Sequence, residues 1–156
     1  PHRGAAHRDG PRLPALTVPD RWQAYAAAQV DIELERGAFT CVPGPPAPLP
    51  PELDVPLWII TAHNPGPSKL SDEENASRHA ALFAMVVEMK LRHWPAVGRN
   101  PEGTWREASL AIAGIPFETA REIARAFDQD AVFRLDAHGL VVVPVAPQAV
   151  PDSERP

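Results

Sequence analysis

Leu57–Asn75, LWIITAHNPGPSKLSDEEN, decides the fold. Leu57 to Ala62 is an apolar run too short for a buried helix and without the alternation of a half-exposed strand. It predicts a central strand covered on both faces. His63-Asn64-Pro65 ends it, and Pro65, Gly66 and Pro67 fix a turn. Ser71-Asp72-Glu73-Glu74 then reads as a capping box. The Ser71 hydroxyl and the Glu74 side chain satisfy free backbone N–H groups reciprocally, and the acids suit the positive end of the helix dipole. A strand, a rigid turn and a capped helix therefore follow one another within nineteen residues.

Working outward, the helix is expected to run from Ser71 to about Trp94, with Leu82, Phe83, Val86, Met89 and His93 on its apolar face and Pro95 as its stop. The residues GRNPEGTW, 98–105, read as a turn or hairpin connection. Trp105–Ile115 predicts a strand with Ala108, Leu110 and Ile112 on one face and Glu107 and Ser109 on the other. Pro116 suits the first turn of a further helix carrying Ala120, Ile123, Ala124 and Phe127. AVFRL and LVVVPV flank Asp136-Ala137-His138-Gly139, a hairpin turn in which Gly139 takes positive φ. Upstream, Asp20 reads as the N-cap of RWQAYAAAQ, with Trp22 and Tyr25 on one face. Val30, Ile32 and Leu34 alternate with acids as a half-buried strand, which Phe39–Val42 extends after a turn at Gly37.

Twenty of the 156 residues are proline, and only five of those lie between Leu57 and Val143. The expected organisation is a flexible arm over 1–19, one domain over 20–143 and a flexible tail over 144–156. Inside the domain, 43–56 is a polyproline-type connector. The order of elements is α, β, (β), β, α, β, α, β, β. It suits an α+β, two-layer, ferredoxin-like split βαβ sandwich, with helices on one face of a mainly antiparallel sheet. A small doubly wound α/β domain is the alternative.

A net charge of −5 argues against broad nucleic-acid or anionic-membrane binding. One cysteine, Cys41, excludes an internal disulfide. No apolar run approaches the length of a membrane span and no signal peptide is present, so a cytoplasmic protein is expected. No Walker phosphate loop, nucleophile elbow or compact His/Cys spacing occurs, so neither a cofactor nor a metal is expected.

The turn after the Leu57 strand and the helix start beyond it form the candidate site, because a helix N-terminus offers free N–H groups to a polar ligand. Asn64 is either a turn-holder or a ligand contact. Following the helix stripe backwards from Leu82 leads to His79, Arg78 and Asn75, which meet His63 and Asn64 at the same end. Arg78 is either a bidentate holder of a carboxylate or phosphate, or the partner of Glu74 or Glu107. Gln129 sits where a helix gives way to a strand, holding that turn or reaching a neighbouring strand end.

Four blocks in order carry a family resemblance: Thr61-Ala62 with Asn64-Pro65; Ser71 with Asn75 and Arg78; Trp105, Glu107 and Ser109; and Gln129 with Ala131-Val132-Phe133. Over Leu57–Val143 the chain resembles the bacterial family DUF3293. His63 stands where that family often has Trp, which weighs against a role for His63. The resemblance implies no activity. It implies that Asn64, Asn75, Arg78, Glu107 and Gln129, from different elements, belong together. With Ser71 these are the candidate ligand contacts. The expected function is a non-catalytic module that binds a partner protein or a small polar or anionic ligand. An enzyme acting on a small anionic or amide substrate is the alternative, with Glu107 or His79 as base. An accessory factor of a large assembly such as the ribosome is a third.

Overall fold

The structure, a computed structural model, describes residues 18–44, 48–66 and 68–146. Most of the expected arm and of the expected tail lie outside these residues, and the arm's last two residues, Val18 and Pro19, belong to a helix. The elements in chain order are α1 (Val18–Ala27), β1 (Gln29–Leu34), β2 (Gly37–Cys41), β3 (Leu57–Thr61), α2 (Asp72–Glu88), β4 (His93–Arg99), β5 (Arg106–Ala113), α3 (Phe117–Ala126), β6 (Ala131–Asp136) and β7 (Gly139–Pro144). The seven strands form one sheet in the order β2-β1-β4-β5-β3-β6-β7. Every strand pair among the described residues is antiparallel, so the doubly wound alternative is excluded.

The apolar run at Leu57 does become a strand deep in the sheet, between β5 and β6, with Leu57 to Ile60 all buried. Its even and odd residues feed two separate cores. Trp58 and Ile60 join Leu110, Ile112 and Val132 beneath α2 and α3, which contribute Leu82, Val86, Ala120, Ile123 and Ala124. Leu57 and Ile59 point the other way, to Val30, Ile32, Cys41, Ala111, Leu135 and Leu140, and the sheet curls around this second cluster. Each fully buried Leu or Ile in these clusters contributes about 1.5–3 kcal/mol. Leu53, in the proline-rich connector, is buried in the second cluster with Leu49 packed on it, so this stretch covers core as well as spanning distance.

The helices do not all share one face. α1 lies on the side of the second cluster, where Tyr25 meets Phe133 edge-on with ring centroids 6.5 Å apart. It begins at Val18, so Asp20 is inside the helix rather than its cap. Arg99 ties β1 to β4 by donating to both carboxylate oxygens of Asp31, at 2.7 and 3.2 Å. Cys41 is buried in the second cluster, and burial, helped by the nearby Asp31 charge, pushes its thiol up to about 12.

The largest departure from expectation is β4. His93 to Arg99 is a strand paired with both β1 and β5, where the sequence predicted the end of a helix and a turn. The helix stops at Glu88, and Lys90 turns the chain with φ of 56°. Pro95 does not stop a helix. It lies in β4 beyond the reach of β1, which pairs only with Ala96 to Arg99, and proline is tolerated where a strand is paired on one side. The shorter helix buries Leu82 and Val86 but leaves Phe83 and Met89 exposed.

Ser71 caps α2 as expected: its hydroxyl accepts from the Glu74 N–H at 3.1 Å. The reciprocal half differs, because the hydroxyl donates to the Glu74 carboxylate at 3.0 Å. Ser71→Ala is expected to cost about 1 kcal/mol of unfolding free energy, measurable by urea denaturation. The β6–β7 hairpin turns as expected, with Gly139 at φ 111° and the His138 N–H on Asp136.

Candidate functional site

Asn64 is the hub of a polar network at the end of β3. It sits in the left-handed region, φ 45°, which Asn tolerates better than most residues. Its backbone N–H donates to Asn75 Oδ1 at 2.9 Å, and Asn75 Nδ2 returns a bond to Asn64 Oδ1 at 3.0 Å. The same Oδ1 accepts the Leu70 N–H at 2.9 Å, which closes the loop from 64 to 70. Asn64 Nδ2 donates to Glu107 Oε1 at 3.0 Å. Gly66, at φ 56°, donates its N–H to Asp128 O and ties this loop to the end of α3.

Two more of the expected residues hold the same corner through backbone carbonyls. Arg78 Nε donates to Ala62 O at 2.6 Å and its Nη2 to Phe127 O, while the guanidinium lies over the Phe127 ring. It therefore pairs with neither Glu74 nor Glu107 and straps two backbone segments together. Gln129 Nε2 donates to His63 O at 2.9 Å and to Phe127 O at 3.2 Å, so it both holds its own turn and reaches the neighbouring strand end. Asn64, Asn75, Glu107, Arg78 and Gln129 do meet at one corner, but the sheet divides them. Arg78 and His79 lie on the side of α2 and α3, and Glu107 lies on the side of α1. Ser71 stays at the surface with its own helix.

The concave surface is on the Glu107 side. A cleft of about 580 Å³ opens between α1, the 64–69 loop and the β4–β5 connection, with Tyr25, Asn64, Lys69, Trp105 and Glu107 among its lining residues. Beneath it a cavity of about 30 Å³, one water in size, is bounded by Thr61, Gly98, Ser109, Gln129 and Phe133. Gly98 faces Glu107 across the β4–β5 register and lies under the Trp105 ring, whose Cη2 is 3.8 Å from where a Cβ on Gly98 would be, an ordinary contact distance. Arg21, also in the lining, is engaged by Asp130.

Glu107 is 8% exposed and forms no ion pair among the described residues. Burial pushes its carboxyl above the usual range, and hydrogen bonds from Asn64 and Trp105 only partly oppose that. Tyr25 is raised as well, first by burial and then by the negative charges of Glu107 and Asp130. The Glu107 shift gives a signed prediction. Between the usual value of 4.5 and its higher folded value, the folded protein holds a proton that the unfolded chain has released, so stability falls as pH rises through that window. Glu107→Gln cannot titrate. Its stability relative to wild type is expected to climb as pH rises from below that window and to level off above it, read from urea midpoints across about pH 4 to 8. A gap independent of pH contradicts this.

His63 and His79 meet edge-on with ring centroids 6.1 Å apart, beside a second hollow shared with Asp72 and Asn75 that Asn64 and Trp105 also border. Burial lowers both, and for His63 the neighbouring His79 adds to it. Among the described residues no group of three or more His, Cys, Asp or Glu side chains could hold a metal ion. No helix among them is long and apolar enough to cross a membrane.

Tyr25 and Trp105 were not among the sequence candidates for ligand contact. Trp105 carried a signal: it lies two residues before Glu107, the spacing that puts both on one face of an extended chain. Tyr25 carried none, because its place depends on how α1 crosses the sheet.

Residues 60–132 match the family described as "Protein of unknown function (DUF3293)". That span holds Asn64, Trp105, Glu107 and Gln129, while Tyr25 lies outside it. No curated protein and no solved structure matches the chain.

Proposed function

We propose that the DUF3293 region of this chain, together with α1, forms a binding site for a small polar molecule, with Glu107 at the floor of the cleft. The observation that carries this reading is a carboxyl 8% exposed and, among the described residues, unpaired by any cation, aimed into a cleft of about 580 Å³. Buried charges that serve only the fold are normally paired. Clefts of this size, with apolar walls and a few convergent polar groups, are where proteins hold small ligands. The fold assignment that accompanies the reading is a split βαβ core made of β3, α2, β4, β5, α3 and β6. It is supported by the strand order β4-β5-β3-β6, in which β5 separates β3 from β4 and β3 separates β5 from β6.

An enzyme is the second reading, favoured by one observation: Glu107 and Tyr25 both line the cleft and both hold their protons more tightly than usual, as a general acid and its neighbour would. Arg78 and Ser71 do not serve as anion holders in either reading, because Arg78 is committed to backbone carbonyls and Ser71 is away from the cleft.

A fragment screen on the ¹⁵N-labelled chain tests the site. Hits are expected to move the amides of Asn64, Gly98, Trp105 and Glu107. Ala24→Trp, an exposed α1 position on the cleft wall, is expected to weaken those hits about tenfold or more by filling the mouth. Hits that cluster elsewhere and ignore Ala24→Trp contradict the proposal.

A further inference from the structure

We infer that the ligand class favoured by this cleft is a small organic cation, an amine or quaternary ammonium, with its charged head at Glu107 and its hydrocarbon shell against Trp105 and Tyr25. The inference rests on the cleft reading above and narrows it by charge. Three features point the same way.

First, the carboxylate at the floor has no cationic partner among the described residues, so a ligand cation would supply the missing charge. Its polar neighbours do not stand in for one. Asn64 and the Trp105 indole offer neutral N–H groups that only partly offset its burial, and Thr61 Oγ1 is spent on the Ala108 carbonyl at 2.9 Å.

Second, the walls are aromatic. Trp105 and Tyr25 are both half-buried, which leaves part of each ring open to the cleft, and ring faces attract cations. Trp105 lies over Gly98 of β4, beside Glu107.

Third, the site has little to offer an anion. The Asn64 amide nitrogen already donates to Glu107, and its oxygen is taken by Leu70 and Asn75. Arg21 is neutralised by Asp130. Lys69 and Glu102, both exposed, put one charge of each sign at the mouth. An anion would have to sit beside a buried carboxyl, and a neutral ligand would gain a hydrogen bond but no charge pairing.

Three probes of nearly the same shape separate these cases: choline, its neutral isostere 3,3-dimethyl-1-butanol, and the anion 3,3-dimethylbutyrate. Each is titrated into the ¹⁵N-labelled full chain, following the Trp105 indole N–H, which is assigned from its disappearance in Trp105→Phe. Choline is expected to bind about tenfold more tightly than the alcohol, the scale of a desolvated cation–aromatic contact joined to a carboxylate. The butyrate is expected to bind weakest. Glu107→Gln, with its fold checked by amide dispersion, should bring choline down to the level of the alcohol. Trp105→Leu should weaken choline more than the alcohol, and it carries the decision if Glu107→Gln fails to fold. Equal binding of choline and alcohol, or tighter binding of the butyrate, overturns the inference. The cleft reading survives that result where the shifts also reach the Tyr25 and Glu107 amides, which line the cleft and not the hollow beside His63 and His79. Silence from all three probes also overturns the inference, and the fragment screen with Ala24→Trp then judges the cleft on its own.

Discussion

Asn64→Ala is expected to lower the unfolding free energy by about 2–4 kcal/mol, one of the two largest single-residue effects outside the apolar cores. The substitution removes the acceptor for the Leu70 N–H and the Asn75 amide, and the donor to Glu107, in one step. It also places Ala at φ 45°, where a Cβ without a compensating polar side chain costs about 1–2 kcal/mol. Asn64→Gly separates the two causes. It relieves the backbone cost and keeps the loss of hydrogen bonds, so it should fall between wild type and Asn64→Ala by urea denaturation. If Gly and Ala behave alike, the backbone contributes little. If both match wild type, Asn64 is not the hub described.

Arg78→Ala is expected to cost about 2–3 kcal/mol, because hydrogen bonds from a charged donor are worth more than neutral ones and two carbonyls lose their partner. Ala62 O and Phe127 O belong to different elements, so the loss also unties the end of β3 from the end of α3. Arg78→Lys should recover less than half of the difference, since one ammonium does not reproduce the fork that serves two segments. The side chain lies away from the cleft, so any fragment bound there should keep its affinity in a folded Arg78→Lys protein. A loss of affinity without a loss of stability contradicts the strap and points back to a ligand contact.

The contrast between these two residues shows what was legible in the sequence. Asn before Pro at a strand end announced a held turn, and the capping box announced α2, because local backbone chemistry decides both. That the polar positions Asn64, Asn75, Glu107 and Gln129 belong together was implied by the family blocks, and they do converge. The role of Arg78 was not legible. A guanidinium that binds carbonyls leaves no complementary charge in the sequence, so an anion or a carboxylate was the natural expectation. β4 was hidden for another reason. Its inward positions are Ala96 and Gly98, too small to mark an alternating pattern, and Pro95 imitates a helix stop. Missing β4 also hid the cleft, whose far wall is the connection from β4 to β5. α1 supplied the other wall, and only its packing on Phe133 brings Tyr25 over Glu107.

The division of the polar corner by the sheet has a functional consequence. On one side Arg78 fastens backbone, and its loss should be felt as stability. On the other Glu107, Tyr25 and Trp105 surround open space, and their loss should be felt as binding. Asn64 joins the two, which makes it the one position where stability and binding are expected to fall together.

The most direct test of the cleft is a crystal structure of the chain grown with its best fragment-screen hit. The expected result is ligand density between the Trp105 and Tyr25 rings, with a ligand atom within hydrogen-bond distance of a Glu107 carboxylate oxygen. Density instead beside His63 and His79, with the Glu107 cleft closed by side chains, would contradict the account.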